Sequence, residues 1–192
     1  MTPPRTPLEV VVIGSECTGK TTLAGRLALR FDAPWSREFA REYVERKQAT
    51  LDASDVDPIG RGQLAGELAA DREAAARGSR LVIRDTDLHS TVVYSRHYYG
   101  DCPGWIEDAA RARTANLYLL LRPDVPWVAD GLTRDRPDEE ARALIHRLFR
   151  DTLAAARAPV VEIDGDWPDR DARASAAVEA LISTAAPPGP GR

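Results

Sequence analysis

The stretch VVVIGSECTGKTTL, Val10 to Leu23, governs the reading of everything around it. An apolar run of strand character, Leu8 and Val10 to Ile13, meets Gly14, and Gly19, Lys20 and Thr21 follow four residues later. This is the G-x4-G-K-[ST] pattern of a phosphate-binding loop, placed between a strand and a helix as its chemistry demands. Glycine lets the backbone turn tightly and aim successive N–H groups at phosphate oxygens. The helix that opens near Lys20, with Leu23, Leu27 and Phe31 on one side, adds the positive end of its dipole. Gly14, Ser15, Glu16, Cys17, Thr18, Gly19, Lys20, Thr21 and Thr22 are therefore the expected triphosphate-binding residues. Within them Lys20 bridges the β- and γ-phosphates and the Thr21 hydroxyl ligates Mg²⁺.

Composition supports this use of Lys20. Of 26 basic residues all but Lys20 and Lys47 are arginine. A chain so biased toward arginine keeps a lysine where a compact ammonium suits a pair of phosphates. A base-reading N-K-x-D motif for guanine is missing, because the only asparagine, Asn116, is followed by Leu117. ATP is thus the expected nucleotide.

The 192 residues suit one well-buried domain. A net charge of −4 argues against a general nucleic-acid binder. No apolar run has membrane-spanning length, and the start MTPPRTP has no signal-peptide core. Cys17 and Cys102 show neither metal nor redox spacing, so a reduced, cytoplasmic setting is expected. Cys17 lies inside the phosphate loop, where N–H dipoles lower a thiol pKa, so its oxidation is expected to disturb nucleotide binding. Unchanged ATP affinity after alkylation of that thiol would remove this expectation. Residues 1–7 and 185–192 are Pro/Gly-rich and read as disordered tails around a single domain over 8–184. Oligomeric state has no signature.

Along the chain, apolar strands alternate with helices. Strands are expected at Leu8 to Ile13, Arg80 to Arg84, Leu117 to Leu121 and Pro159 to Ile163, with a short fifth at Ala33 to Ser36. Helices are expected from Lys20, after a Ser36 cap, over Ile59 to Arg77, Leu88 to Tyr99, Trp105 to Arg113 and Pro137 to Arg157. A last one follows the Gly165 to Pro168 turn and runs to about Thr184. The pattern predicts an α/β, three-layer fold with a mostly parallel sheet of about five strands. In such sheets the site lies beyond the carboxyl ends of the strands. That rule gathers the phosphate loop, Asp85 to Asp87, Arg122 to Arg136 and Gly165 to Trp167 around one crevice.

Asp85 ends an apolar strand and is the expected partner of Mg²⁺. Asp87, two residues on, is placed to meet an acceptor hydroxyl and also to cap the helix that starts near Leu88, roles that do not exclude each other. Glu38 and Glu42 lie one helical turn apart with Arg41 between them, a spacing that serves sugar hydroxyls or a solvated face alike. Arg134 and Arg136 sit in a Gly131-containing segment, about 124–137, that reads as a lid with arginines for the transferred phosphoryl group. Arg122, Trp127 and Asp130 are further pocket candidates from the same region. Trp167 either packs on adenine or anchors its loop. His89, His97 and His146 are scattered without metal spacing and read as structural.

Taken together and in order, GSECTGKTTL, SREFAREYV, Gly62-Gln63, IRDTDLHSTVVYSRHYYG and DVPWVADGL resemble one family. It is the ribosylnicotinamide kinase domain of bacterial bifunctional NAD-biosynthesis proteins, within the NadR-type P-loop ATPase domains. The resemblance runs from about Val10 to Ile182. It implies a P-loop nucleoside-kinase-like fold and ATP- and Mg²⁺-dependent phosphorylation of a nucleoside 5′-hydroxyl, turning nicotinamide riboside into nicotinamide mononucleotide. It further implies that Gly14 to Thr22 bind ATP and that Asp85 serves Mg²⁺ or the base. Lys20, Asp85, Arg134 and Arg136 are then the expected catalytic residues, with Thr21 and Asp85 at the metal. Glu38, Arg41, Glu42, Asp87, Trp127 and Asp130 would then line the small-molecule acceptor. The adenylyltransferase domain of the bifunctional proteins has no counterpart here, so the expected reaction stops at the mononucleotide. The aromatic walls that hold the family's nicotinamide ring are replaced by Arg37 and by Leu64, Ala65, Leu68 and Ala69, with Trp35 and Tyr43 as the available substitutes. A kinase for another nucleoside or vitamin, and a regulatory ATPase without an acceptor, remain the alternative readings.

Overall fold

The computed structural model of the chain describes residues 6–125 and 139–185. Its centre is β1 (Leu8–Gly14), whose apolar residues are buried on both faces. Parallel neighbours flank it: β3 (Leu81–Asp85) on one side and β4 (Leu117–Leu121) on the other. β2 (Trp35–Ser36) and β5 (Val160–Ile163) complete the edges, giving the order β2-β3-β1-β4-β5. All four pairings are parallel, so every strand presents its carboxyl end on the same side.

Alternation along β1 sorts the helices into two layers, because successive side chains leave opposite faces of a strand. Val10 and Val12 pack with Leu23 and Leu27 of α1 (Lys20–Arg30) and Ala174 and Val178 of α7 (Trp167–Thr184). Val11 and Ile13 pack with Val93 of α4 (Leu88–Tyr99) and with Ile145, Phe149 and Leu153 of α6 (Glu139–Ala155). On the second face α3 (Val56–Arg77) sets Ala70 and Ala74 against Val82, and α5 (Gly104–Ala112) packs Ile106 and Ala110 against α4. The α/β three-layer expectation is met, including the short fifth strand.

Three local readings differ from the structure. Ser36 is the last residue of β2, and α2 (Phe39–Lys47) is N-capped at Glu38 with no side-chain hydrogen bond from that cap. The orphan Phe39 N–H instead donates to Gln63 Oε1 of α3 at 3.1 Å, a partner 24 residues away. The polar stretch before α3 is a helical lead-in: a 3₁₀ turn, Ala53–Asp55, carries a capping box with Asp52. Trp167 belongs to α7 itself, whose N-cap Asp166 accepts from Asp169 N–H at 3.0 Å. The terminal tails lie outside the described residues except for Thr6, Pro7 and Ala185. No helix among the described residues is long and apolar enough to cross a membrane.

Candidate active site

The phosphate loop leaves β1 at Gly14 and closes at Gly19, which takes φ +87°. Trp167 lies directly over Gly19, so a Cβ there would run into the indole ring. The same ring receives the Arg26 guanidinium at 5.0 Å. Trp167 thus packs against the phosphate loop, a contact beyond the two roles expected of it. Inside the loop the Ser15 carbonyl accepts from Thr18 Oγ1 at 2.9 Å and from Lys20 Nζ at 3.0 Å. Lys20 is buried against its own loop, and α1 has no acidic residue in its first turn to offset its positive end. The loop therefore offers a cation, oriented N–H groups and an unopposed helix N-terminus to an anion.

Parallel register brings Asp85 to this loop, since Val12 of β1 pairs with Asp85 of β3. Thr21 Oγ1 donates to Asp85 Oδ2 at 2.6 Å. Asp85 Oδ1 is buried without a hydrogen-bond partner. Burial, together with the negative charge of Glu38, pushes the Asp85 carboxyl up to about 6, against opposing pulls from Thr21 and Lys20. A buried carboxylate with a free oxygen beside a threonine hydroxyl is a donor set that suits Mg²⁺. That ion takes one or two protein oxygens and fills its remaining positions with water and phosphate. Among the described residues no group of three or more acidic, histidine or cysteine side chains is arranged to hold a metal ion by itself.

The two aspartates of Asp85-Thr86-Asp87 part company. Thr86 takes φ +66°, a left-handed conformation rarely adopted by a β-branched residue. Its N–H donates to the Val12 carbonyl at 3.0 Å and its carbonyl accepts from Gln63 Nε2 at 3.4 Å. Past this turn Asp87 faces the opposite layer. Its Oδ1 accepts from His89 N–H at 2.9 Å, capping α4, and its Oδ2 accepts from the Tyr118 hydroxyl at 2.6 Å. Asp87 thus caps α4, one of the two roles expected of it, and His89 packs edge-on against Tyr118.

On the acceptor side, Glu38 stands at the start of α2 with its side chain only 10% exposed, and Arg41 Nε lies 3.9 Å from it. Glu42 points outward, 63% exposed, toward Arg46. The two glutamates thus diverge, and only Glu38 meets Asp85 electrostatically. The separate Gly62-Gln63 signal now has a physical cause. Gly62 leaves room for the Phe39 ring, and Gln63 holds both the α2 N-terminus and the Thr86 carbonyl. Below Gln63, Glu67 lies buried beside Arg84 and Arg113, and burial, joined by the Asp87 charge, raises it to about 7. Arg84 itself is fully buried among Glu9, Glu67 and Asp71.

Of the two aromatic substitutes, Trp35 packs into the α1 layer near Gly25, with Arg37 across its ring at 5.0 Å. The Tyr43 hydroxyl donates to Asp55 at 2.9 Å. Arg122 faces Glu162 and Asp164 at 3.9 and 3.8 Å. Trp127, Asp130, Arg134 and Arg136 lie outside the described residues, as does the expected lid apart from Asp124 and Val125.

Residues 9–170 match the family model of an AAA domain. Over 127 residues the chain is 30% identical to the trifunctional NAD biosynthesis/regulator protein NadR of Escherichia coli, a match to 64% of this chain and 30% of that protein. A crystal structure of NadR protein in complex with NR superposes with a TM-score of 0.74 at 28% identity, covering 97% of this chain and 54% of the other. A second, of NadR in complex with NAD and AMP-PNP, gives 0.76 at 26% identity, covering 97% and 52%. The chain thus spans about half the length of those solved proteins, and less of the enterobacterial one. Thymidylate kinase from Ehrlichia chaffeensis, 14% identical with a TM-score of 0.64 over 93% of this chain and 100% of its own, shares the fold. The chain belongs to the AAA-domain family and shares its fold with thymidylate kinase.

Proposed function

We propose that the chain is an ATP-dependent small-molecule kinase acting on a nucleoside 5′-hydroxyl, with nicotinamide riboside as acceptor and nicotinamide mononucleotide as product. The observation that carries this reading is Asp85, held by Thr21 through one oxygen, free at the other, and facing the charge of Glu38. Likeness to NadR chains solved with NR, and with NAD and AMP-PNP, supports both an acceptor and a donor side.

In this reading Lys20 leaves the Ser15 carbonyl for the β- and γ-phosphates of ATP, while residues 14–19 bind them through backbone N–H groups. Thr21 and Asp85 would hold Mg²⁺, which when bound would neutralise charge on the phosphate oxygens. Glu38 and Arg41 bind hydroxyls of the acceptor ribose. Phosphoryl transfer passes through a loose transition state, so alignment and charge neutralisation contribute more than a strong base.

An ATP-consumption screen of the purified protein against nicotinamide riboside, nicotinate riboside, thiamine and the common nucleosides tests this. The highest kcat/KM is expected for nicotinamide riboside. A second reading, a kinase for another nucleoside, draws on the two available substitutes for the family's aromatic walls, since Trp35 packs into the α1 layer and the Tyr43 hydroxyl is taken by Asp55. A different preferred acceptor in the screen would select it. ADP formation independent of any acceptor would contradict both readings and favour a regulatory ATPase.

A further inference from the structure

Behind the phosphate loop, three segments of the sheet's carboxyl edge meet at one side chain that no motif marks. Arg170, in the first turn of α7, is 0% exposed. Its Nε donates to the Gly165 carbonyl at 2.8 Å, between β5 and α7. Its Nη1 donates to the Thr18 carbonyl at 3.1 Å, inside the phosphate loop. Its Nη2 donates to the Arg122 carbonyl at 3.0 Å and pairs with Asp124, on the segment that leaves β4. Asp124 closes the arrangement by accepting from Gly165 N–H at 2.9 Å. The planar fork of a guanidinium spreads five N–H donors over three nitrogens and so reaches acceptors on separate segments, whereas a lysine gathers its three donors on one nitrogen.

We propose that Arg170 is a positioning residue for nucleotide binding: by holding the Thr18 carbonyl from behind, it orients the Thr18–Gly19 peptide so that the Gly19 N–H faces the phosphates. In a planar trans peptide the carbonyl and the following N–H point in opposite directions, so fixing one aims the other. Trp167, one turn earlier in α7, lies over Gly19 and fixes the same peptide from a second side. Asp124 neutralises the guanidinium, so Arg170 acts through geometry and leaves the attractive charge to Lys20. An ordered ring of N–H groups is what an anion-binding loop needs before its ligand arrives.

The inference rests on the phosphate-loop reading within the proposed function, and its test needs no acceptor. Binding of MgATP and of inorganic tripolyphosphate is measured by calorimetry on the wild-type chain and on Arg170→Met and Arg170→Lys, with melting recorded alongside. Arg170→Met is expected to weaken both ligands roughly 10- to 100-fold, the loss that a misaimed charge-assisted donor causes. Arg170→Lys keeps a cation opposite Asp124 but lacks a second nitrogen for Thr18. It is expected to fold, and to show the same loss for both ligands at smaller size. It decides the matter if the methionine variant does not fold. Wild-type affinity for ATP and tripolyphosphate in Arg170→Lys would overturn the proposal, whatever its melting temperature, and would leave Arg170 as a tie between loops. A wild-type chain that binds ATP but phosphorylates no nucleoside would refute the proposed function and leave this test standing.

Discussion

The donor and acceptor halves of the site are built by different means. On the donor side the phosphate loop, Lys20 and Asp85 are buried and held by backbone groups of β1, the register of β3 and the Thr21 hydroxyl. On the side proposed for the acceptor, the N-terminus of the short helix α2 is met by a side chain, Gln63. The far end of α2 is tied to Asp55 through Tyr43 and Lys47, and its Arg41 and Glu42 reach into solvent. A phosphate chain is common to every triphosphate, so a fixed backbone cradle can be shared widely. An acceptor differs from one kinase to the next, and side chains on a helix outside the sheet can change without disturbing it.

The sharpest way to break this contrast is at Lys20. Lys20→Ala is expected to lower kcat by roughly a thousandfold or more, because it removes the charge facing the transferred group. Stopped-assay ADP formation at saturating nucleoside checks it, and turnover near the wild-type rate would contradict the donor-side account.

Asp85→Asn comes next and separates function from stability. Its kcat is expected to fall roughly a hundredfold, yet the protein without nucleotide should become more stable at neutral pH. The sign follows from the raised carboxyl, which lies at about 6 in the folded state against 3.8 when free. Between those values the folded chain holds a proton that the unfolded chain has released, so stability falls as pH rises through that window. Removing the group should restore roughly 1–3 kcal/mol at pH 7, and the difference from wild type should vanish below about pH 4. Urea unfolding at both pH values without nucleotide measures this. A less stable Asn variant at pH 7 would show that Asp85 is satisfied in the empty protein.

Smaller effects belong to α2. Glu38→Ala is expected to raise KM for the acceptor roughly tenfold, the loss of one hydrogen bond to a charged group, while KM for ATP stays put. Initial rates with each substrate varied in turn separate the two constants. Smallest of all is Glu42→Ala, since an exposed pair with Arg46 contributes about 0–1 kcal/mol. An acceptor KM moved as far by Glu42→Ala as by Glu38→Ala would mean that α2 presents both glutamates to the ligand.

What could be read from residues alone follows the same divide. The phosphate loop is legible because its chemistry needs glycines and a lysine at fixed local spacing, and the sheet because doubly buried strands are continuously apolar. Asp85 is legible as an acid at a strand tip. Its separation from Asp87 is not, since it depends on the left-handed Thr86 and on Tyr118 from another strand. Likewise Ser36 carries the local signature of a cap, but the α2 N–H is met by Gln63, whose approach depends on tertiary packing. Arg84 reads as the polar end of a strand and is fully buried among carboxylates. Arg170 reads as one more arginine in a chain rich in them. In each case the deciding partner lies far off in sequence, where spacing carries no information.

The central claim is transfer of a phosphoryl group from ATP to a nucleoside hydroxyl at Asp85. Phosphorus NMR of the wild-type chain and of Asp85→Asn, each given MgATP and nicotinamide riboside, tests it most directly. The wild-type chain should yield a phosphomonoester resonance in step with ADP, and Asp85→Asn should yield almost none. ADP accompanied only by inorganic phosphate, or equal monoester from both proteins, would contradict it.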